Sequence, residues 1–427
     1  MLNIRFVIEN QSAVEDAMKN RQRDPKVVEQ CIKSYSEYSK LKNEIEELNS
    51  ERKSNSKQNG IGNNKEAIET GRKIKERLSV LEKEMNKFEE EYILNLSKIP
   101  NVPLKDVPIG IDETMNVVVE KYGKIRDFSF TPLSDHDLGE KMGYFDFKSG
   151  VNVAGSRFVY FKAEAVMLQL ALTRYFFKLV TDSEFIKDTI VKNGINTKNY
   201  KAFVPVIPPI MIKNEVFAKT GRRDPMDDKY YIPNDDLFLV GSSEHTLMPM
   251  FMDRILKESE LPIRMVGIST CLRRESGSYG KDLKGVLRLH QFDKAEMISI
   301  SNTEEGIEEH KLLTAIERYL INSLGLPFQE MRLCTGDMGF TNLTQTDMET
   351  WMPSENRYRE THSADFNGDY QSRGLNIKYI DEKSGEKVYC YTNDATGFTG
   401  RLIKAIIENN QNEDGSFNIP QVLKELI

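Results

Sequence analysis

Ile74, Leu78, Leu81, Met85, Phe88 and Tyr92 follow one another at intervals of 4, 3, 4, 3 and 4 residues, the mean spacing of about 3.5 that marks a coiled-coil seam. An earlier charged run, free of Gly and Pro between Pro25 and Gly60, sets Cys31, Tyr35, Tyr38, Ile45 and Leu48 on a second seam. Joined by SNSKQNGIGNN, the two runs predict an antiparallel helical hairpin over about residues 26–98. With a rise of about 1.5 Å per residue, each helix reaches roughly 50 Å and projects beyond a globular body. Pro100 and Pro103 end it. The pattern therefore predicts an N-terminal domain, 1–100, followed by a larger domain, 101–427.

The pattern beyond residue 100 is different. Residues 102–157 are loop-rich, and KAEAVMLQLALTRYFFKLV, 162–180, is apolar around most of a helix, so it is expected in the core or between subunits. FVPVIPPIMI, 203–212, reads as an extended segment held by three prolines, and KTGRRDPMDDKYYIPNDD, 219–236, as a polar mobile loop over a site. LFLVGSSEHTLMPM reads as a strand that carries Ser242 and Glu244 on one face into a helix. A hydroxyl and a carboxylate so placed suit a substrate ammonium.

Composition narrows the class. The chain has 427 residues and a net charge of −7, so nucleic-acid contact requires a local basic patch. One exists between Glu51 and Arg77, where eight basic residues face four acidic ones, a net of +4. Arg52, Lys53, Lys57, Lys65, Arg72 and Lys73 there suit a phosphate backbone. Cys31, Cys271, Cys334 and Cys390 are scattered without a CxxC pair, which argues against zinc and disulfides and for a reducing cytoplasm. No apolar run approaches the roughly 20 residues of a membrane span, and no signal peptide or membrane association is expected.

The richest chemistry lies in CLRRESGSYGKDLKGVLRLHQFDKAE, 271–296. It reads as two strands around a basic tip containing Gly277, Gly280, Lys281, Lys284 and Gly285. Period-two alternation puts Arg273 and Glu275 on one face of the first arm, and Arg288, Phe292 and Glu296 on one face of the second. An aromatic ring between two guanidinium groups suits a purine carrying a polyphosphate. Downstream, Glu360 and Ser363 are spaced like oxygen ligands of magnesium. In YTNDATGFTGRLIKAIIENNQ, Arg401 falls in the first turn of a helix, where unpaired N–H groups favour an anion. It is a third guanidinium for a triphosphate.

In order, the Pro-rich FVPVIPP, the R-x-E hairpin closing on RLHQFDKAE, and the Gly-rich turn ending in Arg401 resemble the three motifs of class II aminoacyl-tRNA synthetases. The endings HQF-x-K-x-E, DMETWMPSENRYRE and ENNQ with its following DGS and IPQVL, together with the helical arm, resemble the bacterial-type seryl-tRNA synthetases over essentially the whole chain. The resemblance implies an α+β fold with an antiparallel β-sheet catalytic domain, a homodimer, and ATP, Mg²⁺, L-serine and tRNA as ligands. Arg273 is implied to bind the α-phosphate and the serine carboxylate, Glu275 the nucleotide, Phe292 the adenine, and Arg288 and Arg401 the far phosphate. Arg273 and Arg401 are thus the catalytic pair. Glu360 and Ser363 match the magnesium pair, Ser242 and Glu244 the ammonium segment, and Glu296 and Asn393 the serine side.

The chain also departs from the family. Ala395 stands where a serine or threonine is usual, Ser242 where threonine is common, and KTGRRDPMDDKY where a Gly-Gln-Leu-Pro-Lys-Phe-like loop is usual. Serine recognition is then expected to fall on Glu296, helped by Thr396. Two other readings share the motifs: a synthetase-like ligase loading a small amino acid on a carrier protein, and a non-catalytic RNA-binding homologue.

Overall fold

The structure is a computed structural model that describes residues 1–59, 65–276 and 284–427, with arm side chains up to Ser56 and again from Ile68. Two compact units divide at Val102 and Pro103.

In the first unit two short helices, α1 (Ile4–Glu9) and α2 (Gln11–Asn20), precede the arm. They bury Val7, Val14, Ala17 and Met18. Neither was expected, because 6 or 10 residues give too few turns for a periodic signal. The arm comprises α3 (Lys26–Asn59) and α4 (Lys65–Ser97). Cross-helix contacts Ser34 to Glu91 and Arg77 to Glu44 give it the expected antiparallel sense. Its seam holds Ile45, Ile74, Leu78 and Leu81 buried, with Leu41, Leu48 and Met85 packed alongside. Tyr35, Tyr38 and Tyr92 continue the seam as a ring cluster. Leu81 is fully buried, so Leu81→Ala should cost about 2–5 kcal/mol.

The second unit is built on one eight-stranded sheet. In chain order its strands are β1 (Val117–Tyr122), β2 (Val204–Val206), β3 (Ile263–Leu272), β4 (Gln291–Ser301), β5 (Phe328–Arg332), β6 (Thr344–Met352), β7 (Arg357–Gly368) and β8 (Tyr391–Thr399). Their spatial order is β1-β5-β6-β7-β8-β4-β3-β2. Every pairing is antiparallel except the edge pair β2–β3.

One face of this sheet is apolar and covered by helices. In chain order the helices used below are α5 (Glu164–Val180), α6 (Asn214–Thr220), α7 (Glu244–Leu247), α8 (Gly306–Ser323) and α9 (Gly400–Asn409). The core joins Leu168, Leu172 and Phe176 of α5, Leu312, Ile316 and Leu320 of α8, and Leu402 and Ile406 of α9 to Met297, Ala364, Ala395 and Phe398 of the sheet. Arg264 of β3 forks onto Glu309 of α8 at 2.6 and 2.8 Å, both side chains fully buried. Removing either partner leaves a buried charge, a cost of about 3–5 kcal/mol. Helix α5 is only half buried, because Val166, Met167 and Leu170 on its other side are exposed.

The register of β8 decides which side chains reach the opposite, polar face. Glu296 pairs with Thr396 and Ala295 with Phe398, so Gly397 is an extra residue that bulges out of the β4–β8 ladder. A Cβ at Gly397 would stand 2.2 Å from the Phe176 ring, so only glycine lets α5 approach there.

Candidate active site

The polar face of β4 presents Phe292, Lys294 and Glu296, and a cavity opens above it. Arg273, Glu275, Arg288, Phe292, Glu360 and Arg401 all line this cavity, although they come from four separate segments. The hairpin is shorter than expected: its strands end at Leu272 and resume at Gln291. Arg273, Glu275 and Arg288 therefore stand on loops, and Glu275 has a positive φ of 53°. Gly277, Gly280 and Lys281 of the tip lie outside the described residues.

Three sets of bonds hold these loops. Arg273 Nε and Nη2 donate to the Gly241 carbonyl at 3.2 and 3.0 Å, which sets its guanidinium 5.3 Å from the centre of the Phe292 ring. Arg288 Nη1 donates to Glu275 Oε2 at 2.6 Å. The segment before Arg288 is tied to α9: Asp135 accepts from Val286 N and from Lys404 Nζ, each at 2.6 Å, while Arg401 Nε donates to Leu287 O. Gly285, at φ 79°, passes so close to Asp135 that a Cβ would lie 2.5 Å from its carboxylate.

Arg401 occupies the first turn of α9, as expected. Thr399 caps that helix by accepting from Arg401 N at 3.2 Å. Its guanidinium lies 2.9 Å from Glu360 Oε1. Partial desolvation opposes charge on Glu360, whose side chain is 47% exposed, but the Arg401 guanidinium outweighs it and lowers the carboxyl below its usual range. Ser363 follows a bulge at Thr361 and accepts from Gln345 Nε2 at 2.9 Å; the same amide donates to Asp347 at 3.1 Å. Burial, then the charge of Glu360, raises Asp347 well above a normal carboxyl. Asp347 was not singled out in the sequence, where DMETWMP gives no spacing signal.

Beside this cavity lies a cluster of buried acids. Ser242 and Glu244 are not on a strand, which ends at Leu239; they sit in the turn that opens α7. The two are adjacent, Glu244 N donating to Ser242 Oγ at 3.4 Å. One carboxylate oxygen of each of Glu244, Glu296 and Asp394 lies within 4.8 Å of the others. Burial lifts Glu296 to about 7, while Lys294 Nζ, 2.6 Å from its Oε2, opposes the rise. Glu244 goes the other way, to about 2, because Arg222 outweighs its burial.

Two expectations need correction here. Asn393 does not face this acid cluster. It points to the helical side with Ala395 and donates to Gly306 O at 3.0 Å, because side chains alternate along β8. Asp394 and Thr396 occupy the opposite side, Asp394 in the acid cluster and Thr396 on the neighbouring cavity. The insert 219–236 is not a plain loop: Tyr231–Ile232 pairs with Leu237–Leu239, and Arg222 joins the acid cluster from it. Arg222 gave no signal in the sequence, since its partners lie 22, 143 and 172 residues away.

In the arm, Arg52, Lys53, Arg72 and Lys73 are exposed, and Arg72 pairs with Glu69 at 2.9 Å. The side chains of Lys57 and Lys65 lie outside the described residues. Cys31, Cys271, Cys334 and Cys390 are buried free thiols, and among the described residues no helix is long and apolar enough to cross a membrane.

An antiparallel sheet backed by α8 and α9, with arginines from two loops and a helix start around an aromatic ring, is the catalytic core of a class II aminoacyl-tRNA synthetase. Residues 229–410 match the tRNA synthetase class II core domain (G, H, P, S and T), and residues 1–103 the seryl-tRNA synthetase N-terminal domain. The chain belongs to the seryl-tRNA synthetase family. It is 34% identical to the serine–tRNA ligase of Coprothermobacter proteolyticus, over 99% of both chains. It is 33% identical to that of Wolbachia pipientis, over 100% of this chain and 98% of the other. The crystal structure of seryl-tRNA synthetase from Pyrococcus horikoshii complexed with ATP superposes with a TM-score of 0.88 at 32% identity, covering 100% of this chain and 98% of that one.

Proposed function

We propose that this chain is a serine–tRNA ligase, which activates L-serine with ATP and then transfers the seryl group to the 3′ end of its tRNA. The observation that carries this reading is the single cavity that collects Arg273, Arg288, Phe292, Glu360 and Arg401 next to the buried acid cluster of Glu244, Glu296 and Asp394. The P. horikoshii relative named above is complexed with ATP.

In the first step a serine carboxylate oxygen attacks the α-phosphorus of ATP, forming the seryl-adenylate and releasing pyrophosphate. Two anions must meet, so guanidinium groups fixed beforehand are the main requirement. Arg273, held by the Gly241 carbonyl, bridges the carboxylate and the α-phosphate. The adenine stacks on Phe292 beside Glu275, and Arg288 and Arg401 hold the terminal phosphates. The serine ammonium takes Glu244 beside Ser242, and its hydroxyl is met by Glu296 with Thr396. In the second step the terminal ribose hydroxyl attacks the seryl carbonyl, the new ester bond forms and AMP leaves.

Glu360, Asp347 and Ser363 form an all-oxygen donor set whose acids crowd one another, and such a set fits magnesium. When bound, the ion supplies positive charge to the phosphate oxygens. The exposed side of α5, where Leu170 is 57% exposed, and Val153 at 72% suit a second copy of the chain, so a homodimer is proposed. The basic residues Arg52, Lys53, Arg72 and Lys73, with Lys57 and Lys65, are proposed to bind tRNA through its backbone. Four free buried thiols suit a reducing cytoplasm.

Serine-dependent ATP–pyrophosphate exchange, with glycine and alanine as controls, tests this reading. Wild type should exchange with serine, and Arg273→Ala should lose activity by at least about 100-fold while retaining its melting temperature. Exchange with alanine or glycine but not serine, followed by no tRNA charging, would favour the carrier-protein ligase. No exchange with any of them would overturn the enzymatic reading.

A further inference from the structure

Arg222 joins the buried acid cluster from the segment KTGRRDPMDDKY, where the chain departs from the loop usual in the family. It leaves the turn after α6, where its backbone N donates to Thr220 Oγ1 at 3.2 Å. Its guanidinium then bridges three elements. Nε donates to Glu244 Oε1 at 2.6 Å, and Nη2 donates to Asp365 on β7 at 2.8 Å and to Asp394 on β8 at 3.2 Å. The side chain is only 17% exposed, so these bonds form largely out of water.

The bonding at Glu244 is lopsided. Oε1 receives both Arg222 Nε and Gln371 Nε2, the latter at 3.0 Å, and Gln371 is itself fixed because its Oε1 accepts from Thr392 Oγ1. Oε2 takes no hydrogen bond among the described residues. A carboxylate with one oxygen doubly anchored has a fixed plane, and the remaining oxygen is ready for a charged donor. An α-ammonium is such a donor. Charge balance points the same way: burial, then the charge of Glu244, raises Asp394 well above a normal carboxyl, which leaves Glu244 and Asp365 facing the one guanidinium of Arg222, a surplus of negative charge that favours a cationic group on the ligand.

We propose that Arg222 is a positioning residue of the amino-acid subsite, which holds Oε1 of Glu244 against Asp365 and Asp394 so that Oε2 receives the substrate ammonium. The insert 219–236 is thereby part of the amino-acid site. This inference rests on the serine–tRNA ligase reading, and it predicts an effect on amino-acid binding that ATP binding does not share.

Pyrophosphate exchange by the full-length protein tests it, with KM measured separately for serine and for ATP in wild type, Arg222→Ala and Arg222→Lys. Arg222→Ala should raise the serine KM about 10- to 100-fold and leave the ATP KM within about twofold. Arg222→Lys keeps the charge but lacks the fork, and should recover part of the loss, to about 3- to 10-fold above wild type. A serine KM within about twofold of wild type in Arg222→Ala would overturn the proposal, and so would an equal rise in both KM values, which marks general loss of structure. If Arg222→Ala does not fold, Arg222→Lys decides: an unchanged serine KM overturns the proposal. Wild type without serine-dependent exchange is a different result, which removes the serine–tRNA ligase reading itself.

Discussion

Arg401 Nη1 lies 2.9 Å from Glu360 Oε1 and joins the first turn of α9 to β7 along the cavity wall. The contact keeps an arginine extended where the far phosphates of ATP are proposed to lie. The Arg401 side chain is 24% exposed and that of Glu360 47%, and the guanidinium holds the carboxyl below its usual range. Arg401→Ala should lower the exchange rate by about 10²- to 10³-fold, as loss of a preorganised transition-state donor does. Glu360→Gln should instead shift the magnesium concentration for half-maximal exchange upward about tenfold. A magnesium titration of both variants separates the two roles.

Phe292 offers one ring face under the Arg273 guanidinium. Base stacking on an aromatic ring contributes about 1–3 kcal/mol. Phe292→Ala is therefore expected to raise the ATP KM by about tenfold or more with little change in the serine KM, and Phe292→Tyr to stay near wild type. Initial rates across an ATP series check this.

Glu296 gives the folded protein a pH dependence. Its carboxyl is raised to about 7 by burial, with the negative charges of Glu244 and Asp365 adding to the rise against the opposing Lys294, whereas in an unfolded chain it titrates near 4.3. The folded state thus binds this proton more tightly. Its contribution to stability is complete below about pH 4 and is lost as pH rises through about 7. Glu296→Gln cannot ionise, so its melting temperature relative to wild type should be higher at pH 8 than at pH 5, by the equivalent of about 1–3 kcal/mol. Calorimetry at the two pH values would show the opposite slope if pairing with Lys294 outweighed burial.

Replacing Arg52, Lys53, Arg72 and Lys73 together with alanine should leave serine-dependent exchange unchanged, since none of them lines the cavity. The KM for tRNA in charging should rise about tenfold or more, and the dependence of charging on salt should become shallower, because fewer counterions are released. An unchanged tRNA KM would place the contact elsewhere.

The arm was legible in the sequence because a seam of six apolar residues repeats over five turns, and nothing distant has to be known to read it. Arg273, Arg288, Phe292 and Arg401 were legible for a related reason: they stand in local motifs with fixed spacing and loud chemistry. Asn393 was assigned to the wrong face, since strand parity is settled only once the ladder shows Gly397 as the extra residue. Asp347, Asp394 and above all Arg222 were missed, because each acts with partners from other strands or from the insert.

By itself, then, the order of residues determined what short-range physics determines: two long helices, an amphipathic hairpin, an arginine at a helix start and a family likeness carried by contiguous words. The tertiary structure decided which of those groups share a cavity, which side of β8 faces the acid cluster, and that a guanidinium from the insert stands among three acids. The reason is that helical and strand periodicity act within a few residues, whereas the field at Glu244 is the sum of charges from α7, β4, β7, β8 and the insert, brought together only when the sheet closes.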